Sequence, residues 1–415
     1  MTRLIGRAFA LFALIALPSA AIAQKEPPET KETKDAQKFL GLAMMRQTPE
    51  QKRPLFEQAM KPLQVAMTKN PENARVWLMA GQVYAGLGDL VGADSSFRKA
   101  EQLYPGYAED LAGEREALWV EAFNAGIAAM DARNNDEAIK QLEMAERMYN
   151  QRPEAKMNLG ALYAGKGENE KAIKAFEDAI AATNGPLREK LKPEDQAGWK
   201  KFADMAKLNI AQIVGAAGVE LFQAERFDEA AANFMKAYEI NPHSRDYLFK
   251  LAQSHYAKAS KLEENLQTLR DEEAAAKKAK KDAEAKAKAD EIAKLGTELV
   301  PLYAKIAELA EKTLTVDPAN EALYHLSARS YRMTGEFATD PAQKTEWQTK
   351  APAMLQKRDQ LQFEVNEISI QTGENEATVG GTVKNKKAAP GAPLKFKITL
   401  LGSTGAPIGT HEITV

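Results

Sequence analysis

Between Ala74 and Pro105 the chain sets Trp77, Ala80, Gly81, Tyr84, Gly88, Ala93, Phe97, Ala100 and Pro105 at offsets that return further along. The period is roughly 34 residues, the length of one helix–turn–helix unit. Such a unit cannot bury its apolar face alone, so copies must stack on each other. This constrains the chain to a mainly α fold, an extended solenoid of helix pairs. Small residues let the helices approach closely, and aromatic residues fill the gaps between them.

Further copies keep the register. One starting at Pro153 has Gly160, Tyr163, Gly167, Ala172, Phe176 and Ala179. Another at Trp119 has Gly126, Ala138, Leu142 and Ala145, and a third at Ala211 has Gly218, Leu221, Ala230, Phe234 and Ala237. A degenerate first copy near Leu40 retains Ala59, Leu63, Ala66 and Pro71. A last first-helix is expected at Glu321 to Thr334, with a partner from Ala342 to about Gln362 sealing the end. Extra residues around Gly106 to Leu118 are expected to lengthen the first helix of the next repeat, and those at Leu187 to Ile210 to form an additional or elongated helix capped near Lys192-Pro193.

These residues resemble the tetratricopeptide repeat (TPR) family. The resemblance implies a groove lined by inward positions of each repeat's first helix. Carried onto this chain, those positions are Phe123, Ile127 and Met130, then Met157 and Ala161, then Val219 and Phe222. It also implies a protein or peptide partner. The lysine and asparagine set with which some members clamp a carboxylate does not stand at these positions, so the expected groove is apolar. Either it is open, or the lengthened helices fill it.

The ends carry other signals. Arg3 and Arg7, the apolar run Ala8 to Leu17, and Ala21-Ile22-Ala23 read as a secretory signal peptide over residues 1–23. Residues 24–35 are polar, with Pro27-Pro28, and read as a disordered tail. Without residues 1–23 the chain holds 54 basic and 58 acidic residues, net −4, which gives no electrostatic case for nucleic acid. No cysteine is present, so there is neither a disulfide framework nor a lipid-attachment cysteine. The expectation is a periplasmic or secreted bacterial protein with no membrane span after signal cleavage.

The repeats are expected over residues 36–362. Within them, about 261–300 reads as a long charged helical arm. Arg270 to Lys294 is almost only Ala, Lys, Arg, Asp and Glu, and neither Gly nor Pro marks a turn. Leu262, Leu266 and Leu269, then Ile292, Leu295, Leu299, Leu302, Ile306 and Leu309, form apolar stripes that suit an antiparallel hairpin. The arm is either a contact device or a solvated extension. After Phe363 the periodicity becomes alternating, and residues 363–415 read as a small all-β, Ig-like segment. Gly381 to Asn385 followed by Lys397 to Leu401 resembles the FxLYD-like sandwich modules of secreted bacterial proteins. Four strands are few for a sandwich, so the segment is either incomplete or has an edge covered by other structure.

No catalytic constellation stands out. His243, His255, His325 and His411 are scattered. Gly160 to Gly167 approaches a phosphate-binding loop, but Gly167 replaces the Ser or Thr that would hold magnesium, and no strand precedes it. The sequence therefore points to a non-catalytic protein–protein interaction scaffold without cofactor or metal. The competing reading is a structural or adhesive protein whose β segment binds while the solenoid spaces.

Overall fold

The computed structural model describes residues 26–372, 377–387, 389, 393, 395–401 and 407–414. The signal-peptide expectation for 1–23 lies outside the described residues. Fifteen α-helices and four strands are present among them. They fall into two compact units, residues 1–150 and 151–415.

The first unit holds α1 (Lys31–Met44), α2 (Pro49–Lys69), α3 (Ala74–Gly86), α4 (Leu90–Leu103), α5 (Tyr107–Asp110), α6 (Ala112–Asp131) and α7 (Asn135–Met148). The helices pack as pairs α1/α2, α3/α4 and α6/α7. The small-residue rule acts at Gly81: a Cβ there would come within 2.4 Å of the Phe97 ring. Phe97, Ala80, Ala93 and Ala100 are fully buried. The carboxylate of Asp94 is fully buried as well, and it accepts from Arg98 Nε at 2.8 Å and Arg147 Nε at 2.9 Å. Arg115 joins α6 to this network: its Nη1 lies 3.5 Å from Asp94, and its Nε and Nη2 fork onto Glu101 at 2.7 and 2.9 Å.

Two expectations are corrected here. Residues 31–35 belong to a helix rather than to a disordered tail. Thr30 caps α1 through a reciprocal pair of bonds with Thr33, which satisfies two amides at the helix start. The polar character of this segment belongs to one face only, since Thr33, Ala36, Leu40 and Ala43 are buried at helical spacing. Upstream, Arg75 holds Glu26 and Glu29 as ion pairs. The first helix therefore starts at Lys31 and runs through Leu40, where the degenerate copy was expected to begin, to Met44.

The second unit holds α8 (Glu154–Gly165), α9 (Asn169–Thr183), a 3-10 turn (Pro186–Lys190), α10 (Pro193–Gln223), α11 (Phe227–Ile240), α12 (Arg245–Lys278), α13 (Asp282–Leu314), α14 (Glu321–Phe337) and α15 (Pro341–Asp359). The second spacer is absorbed into α10, which starts with Pro193 at its first turn. By length and composition α10 would suffice to cross a membrane. Its apolar face, with Trp199, Ile210, Val214 and Gly218, is instead buried, and the helix packs against α9 and α11.

Five of the helix pairs close with the same turn. Its central residue has φ of 77° at Gly88, 56° at Arg133, 74° at Gly167, 59° at Glu225 and 56° at Lys280. In each, the next amide reaches back five residues, from Asp89 to Tyr84, Asn134 to Ala129, Glu168 to Tyr163, Arg226 to Leu221 and Lys281 to Ala276, at 2.8–3.0 Å. This bond satisfies a carbonyl left open by the end of the first helix. Lys280 thus marks the turn that the sequence left unmarked, and α12 with α13 is one helix pair of much greater length.

The arm expected over about 261–300 is correspondingly shorter. Leu266, Leu269, Leu295, Leu299 and Tyr303 form a core with Ala259 and with Met333 of α14, and Leu262 and Phe337 pack against it. Arg270 pairs with Glu336, near the end of α14. Beyond that pair the two helices meet through Ala276 and Ala285, which are buried, and through Lys288 bound to Glu272 at 2.8 Å.

The C-terminal strands are β1 (Phe363–Thr372), β2 (Ala377–Asn385), β3 (Lys395–Leu401) and β4 (Pro407–Thr414). They form two separate antiparallel hairpins, β1/β2 and β3/β4, among the described residues. β1/β2 carries a bulge between Asn366 and Ser369. The rings of Phe363 and Phe396 meet edge to face at 4.8 Å. Lys386 ties the segment to α14 through Glu321 at 2.8 Å, a contact that holds the Glu321 carboxyl below its usual range.

Candidate functional site

The seven residues assigned to a groove divide between the two units. In the first, Phe123, Ile127 and Met130 follow each other along one face of α6, and all three are half-buried. Phe123 stacks on Trp119, with centroids 4.8 Å apart and planes 7° apart. Its ring position is therefore set by a buried neighbour, while part of its face stays accessible. On α6 the small residue Gly126 faces α7 instead, where a Cβ would meet Leu142 at 2.8 Å.

In the second unit Met157 on α8 and Val219 and Phe222 on α10 are also half-buried. Val219 and Phe222 pack against the core of Ala230, Phe234, Leu248 and Leu251. Phe222 meets Phe227 edge to face at 5.3 Å. Part of this apolar surface is thus used by the repeat's own core. Ala161 on α8 is exposed.

A second feature was not singled out in the sequence. Between α14 and α15 lies a cleft of about 530 Å³. α14 lines it with His325, Arg329 and Arg332, and α15 with Gln348, Pro352 and Leu355. Arg329 donates to Glu263 and lies over the Tyr256 ring at 5.8 Å, while its Nε is buried with no partner among the described residues. Arg332 is exposed and has no ion-pair partner among the described residues. Arg358 Nη1 sits 2.9 and 3.3 Å from the ring nitrogens of His325. Pro352 has no amide hydrogen, so the Gln348 carbonyl four residues back loses its helical donor. A sequence signal did exist: counted from Glu321, the inward first-helix positions that selected Phe123 and Ile127 fall on His325, Arg329 and Arg332.

Gly160 to Gly167 is the end of α8 and its turn. Gly160 serves packing, since a Cβ there would lie 2.6 Å from the Phe176 ring. No group of three or more potential metal ligands occurs among the described residues.

Comparison with known proteins agrees with the repeat reading. Residues 74–107 and 211–244 match one tetratricopeptide repeat model, and residues 123–186 match another. The chain therefore carries tetratricopeptide repeats within an α-solenoid. Repeats of this kind generally mediate protein–protein interaction. No curated protein matches the chain. Similar solved structures include MamA, 23% identical over 47% of this chain and 95% of its own, with a TM-score of 0.20. A TPR-repeat protein of Bacteroides fragilis is 18% identical over 63% of this chain and 99% of its own, TM-score 0.33. The TPR domain of P58(IPK) is 13% identical over 79% of this chain and 100% of its own, TM-score 0.24.

Proposed function

We propose that the chain is a non-catalytic scaffold of the bacterial cell envelope or secretome that holds a peptide or protein partner on its first-helix faces. The observation that carries this reading is the apolar stripe of α6. Phe123, Ile127 and Met130 are large, spaced for one helix face, and only half-buried. Burying such a side chain is worth roughly 1.5–3 kcal/mol before costs. Micromolar binding needs about 8 kcal/mol net, so a few such contacts with backbone hydrogen bonds suffice. The expected partner carries apolar anchors, and its binding depends weakly on salt.

The test is crosslinking mass spectrometry in the native host, followed by capture of the identified partner. Phe123→Ser with Ile127→Ser, its helical signal retained, should weaken capture by about tenfold or more, a loss near 1.4 kcal/mol. Unchanged capture would remove this face from consideration. The location in the envelope or secretome rests on the reading of residues 1–23, and fractionation of the tagged native chain tests it.

A further inference from the structure

The cleft between α14 and α15 has walls of unlike chemistry. Arg329 and Arg332 supply donors from one helix, with His325 beside them turned to Arg358, and no carboxylate among the described residues lines the space. The opposite wall offers Leu355 and Pro352 as apolar surface. Each set runs over about two turns, roughly 10 Å along its helix. Arg329 is already committed to Glu263, but its buried Nε lacks a partner among the described residues. Arg332 carries charge with no counter-ion among the described residues.

We propose that this cleft binds an extended acidic peptide segment in which Glu or Asp alternates with an aliphatic residue. In an extended chain successive side chains point to opposite sides, and same-side residues stand about 6.7 Å apart. Alternation therefore sends the carboxylates to the arginine wall of α14 and the aliphatic groups to the Leu355 wall of α15. Arginine suits this role because its planar fork matches a carboxylate with two parallel donors. A small free anion would leave the apolar wall empty, and a purely apolar segment would leave Arg332 desolvated without a partner. Both walls are matched to side chains, so the cleft reads a segment rather than a chain end. The inference is independent of the apolar face on α6.

Calorimetry with the full chain tests it. The probe is an acetylated, amidated peptide Gly-Glu-Leu-Glu-Leu-Glu-Gly, compared with its Gln-for-Glu counterpart and with a version bearing a free C-terminus. The expected result is binding of the Glu peptide that weakens by about tenfold or more in the Gln peptide and in Arg332→Glu, as for loss of a charge-assisted pair. Arg332→Glu should in turn favour the Lys-for-Glu peptide, a reversal that a merely destabilised protein would not show. The Phe123→Ser, Ile127→Ser variant should bind the Glu peptide as the parent does. The proposal is overturned if the Glu peptide does not bind at millimolar concentration, if Arg332→Glu or the Gln peptide leaves affinity unchanged, or if the free C-terminus alone brings a tenfold gain.

Discussion

At Gly81 one hydrogen in place of a methyl group decides whether two helices fit. The Phe97 ring fills the space a Cβ would need, and Gly126, Gly160 and Gly218 stand in the same relation to Leu142, Phe176 and Phe234. Gly81→Leu and Ala93→Leu should each overpack the α3/α4 contact and cost about 1–3 kcal/mol. Thermal unfolding of both variants checks this; unchanged midpoints would place these residues outside the contact. A second residue makes stability depend on pH. Burial, aided by nearby Lys305, lowers the His255 pKa below its ordinary value. Below the unfolded pKa of about 6.5 the unfolded chain binds the proton more readily than the folded one. Stability is therefore full above that pH and declines as pH falls toward the folded pKa. His255→Gln should flatten this decline in denaturant titrations between neutral and acidic pH, and an unaltered slope would show that His255 does not set it. These residue-scale features were legible to different degrees. The glycine–aromatic pairs recur at a fixed offset and announce themselves. The Asp94 network joins α4, α6 and α7, and no local pattern connects residues so far apart in the chain.

At the scale of elements, helix pairs were readable where apolar spacing was regular and less so where a capping or turn residue was unusual. Gly88 and Gly167 mark their turns because glycine enters the left-handed region without strain. Arg133, Glu225 and Lys280 occupy the same conformation because the flanking helices pair there, and nothing in their side chains reveals it. The start of α1 was missed because Thr30 and Thr33 act as a cap in a stretch whose composition resembles a tail. The alternation after Phe363 located the strands, but not their division into two hairpins, since strand order depends on contacts distant in sequence. The arm gives a test at this scale. Replacing Asp271 to Asp290 by a short Gly/Ser turn should remove helical signal in proportion to the residues deleted and leave the unfolding midpoint nearly unchanged. Extending the deletion to Leu266 and Leu299, both fully buried, should collapse the unit. Circular dichroism during heating distinguishes the two, and global unfolding of the shorter deletion would show that the tip packs elsewhere.

For the molecule as a whole, the class of fold was written in its period, whereas the sites were only partly so. First-helix positions pick out apolar residues that are half-buried, but sequence spacing does not say how much of Val219 or Phe222 the core of α11 and α12 takes up. The arginine cleft needed the placement of α15, a helix whose own apolar pattern is weak. The elongated pair carries a further consequence. α12 and α13 have 34 and 33 residues, whereas α3 and α4 have 13 and 14. Growth has therefore been nearly equal on the outgoing and returning legs. Matched insertion returns the chain to its neighbours at the point where a short repeat would have left it. Length in such an array is a free coordinate only along this diagonal: residues added to both legs lengthen a strut, while the same number added to one leg would slide every later contact out of step.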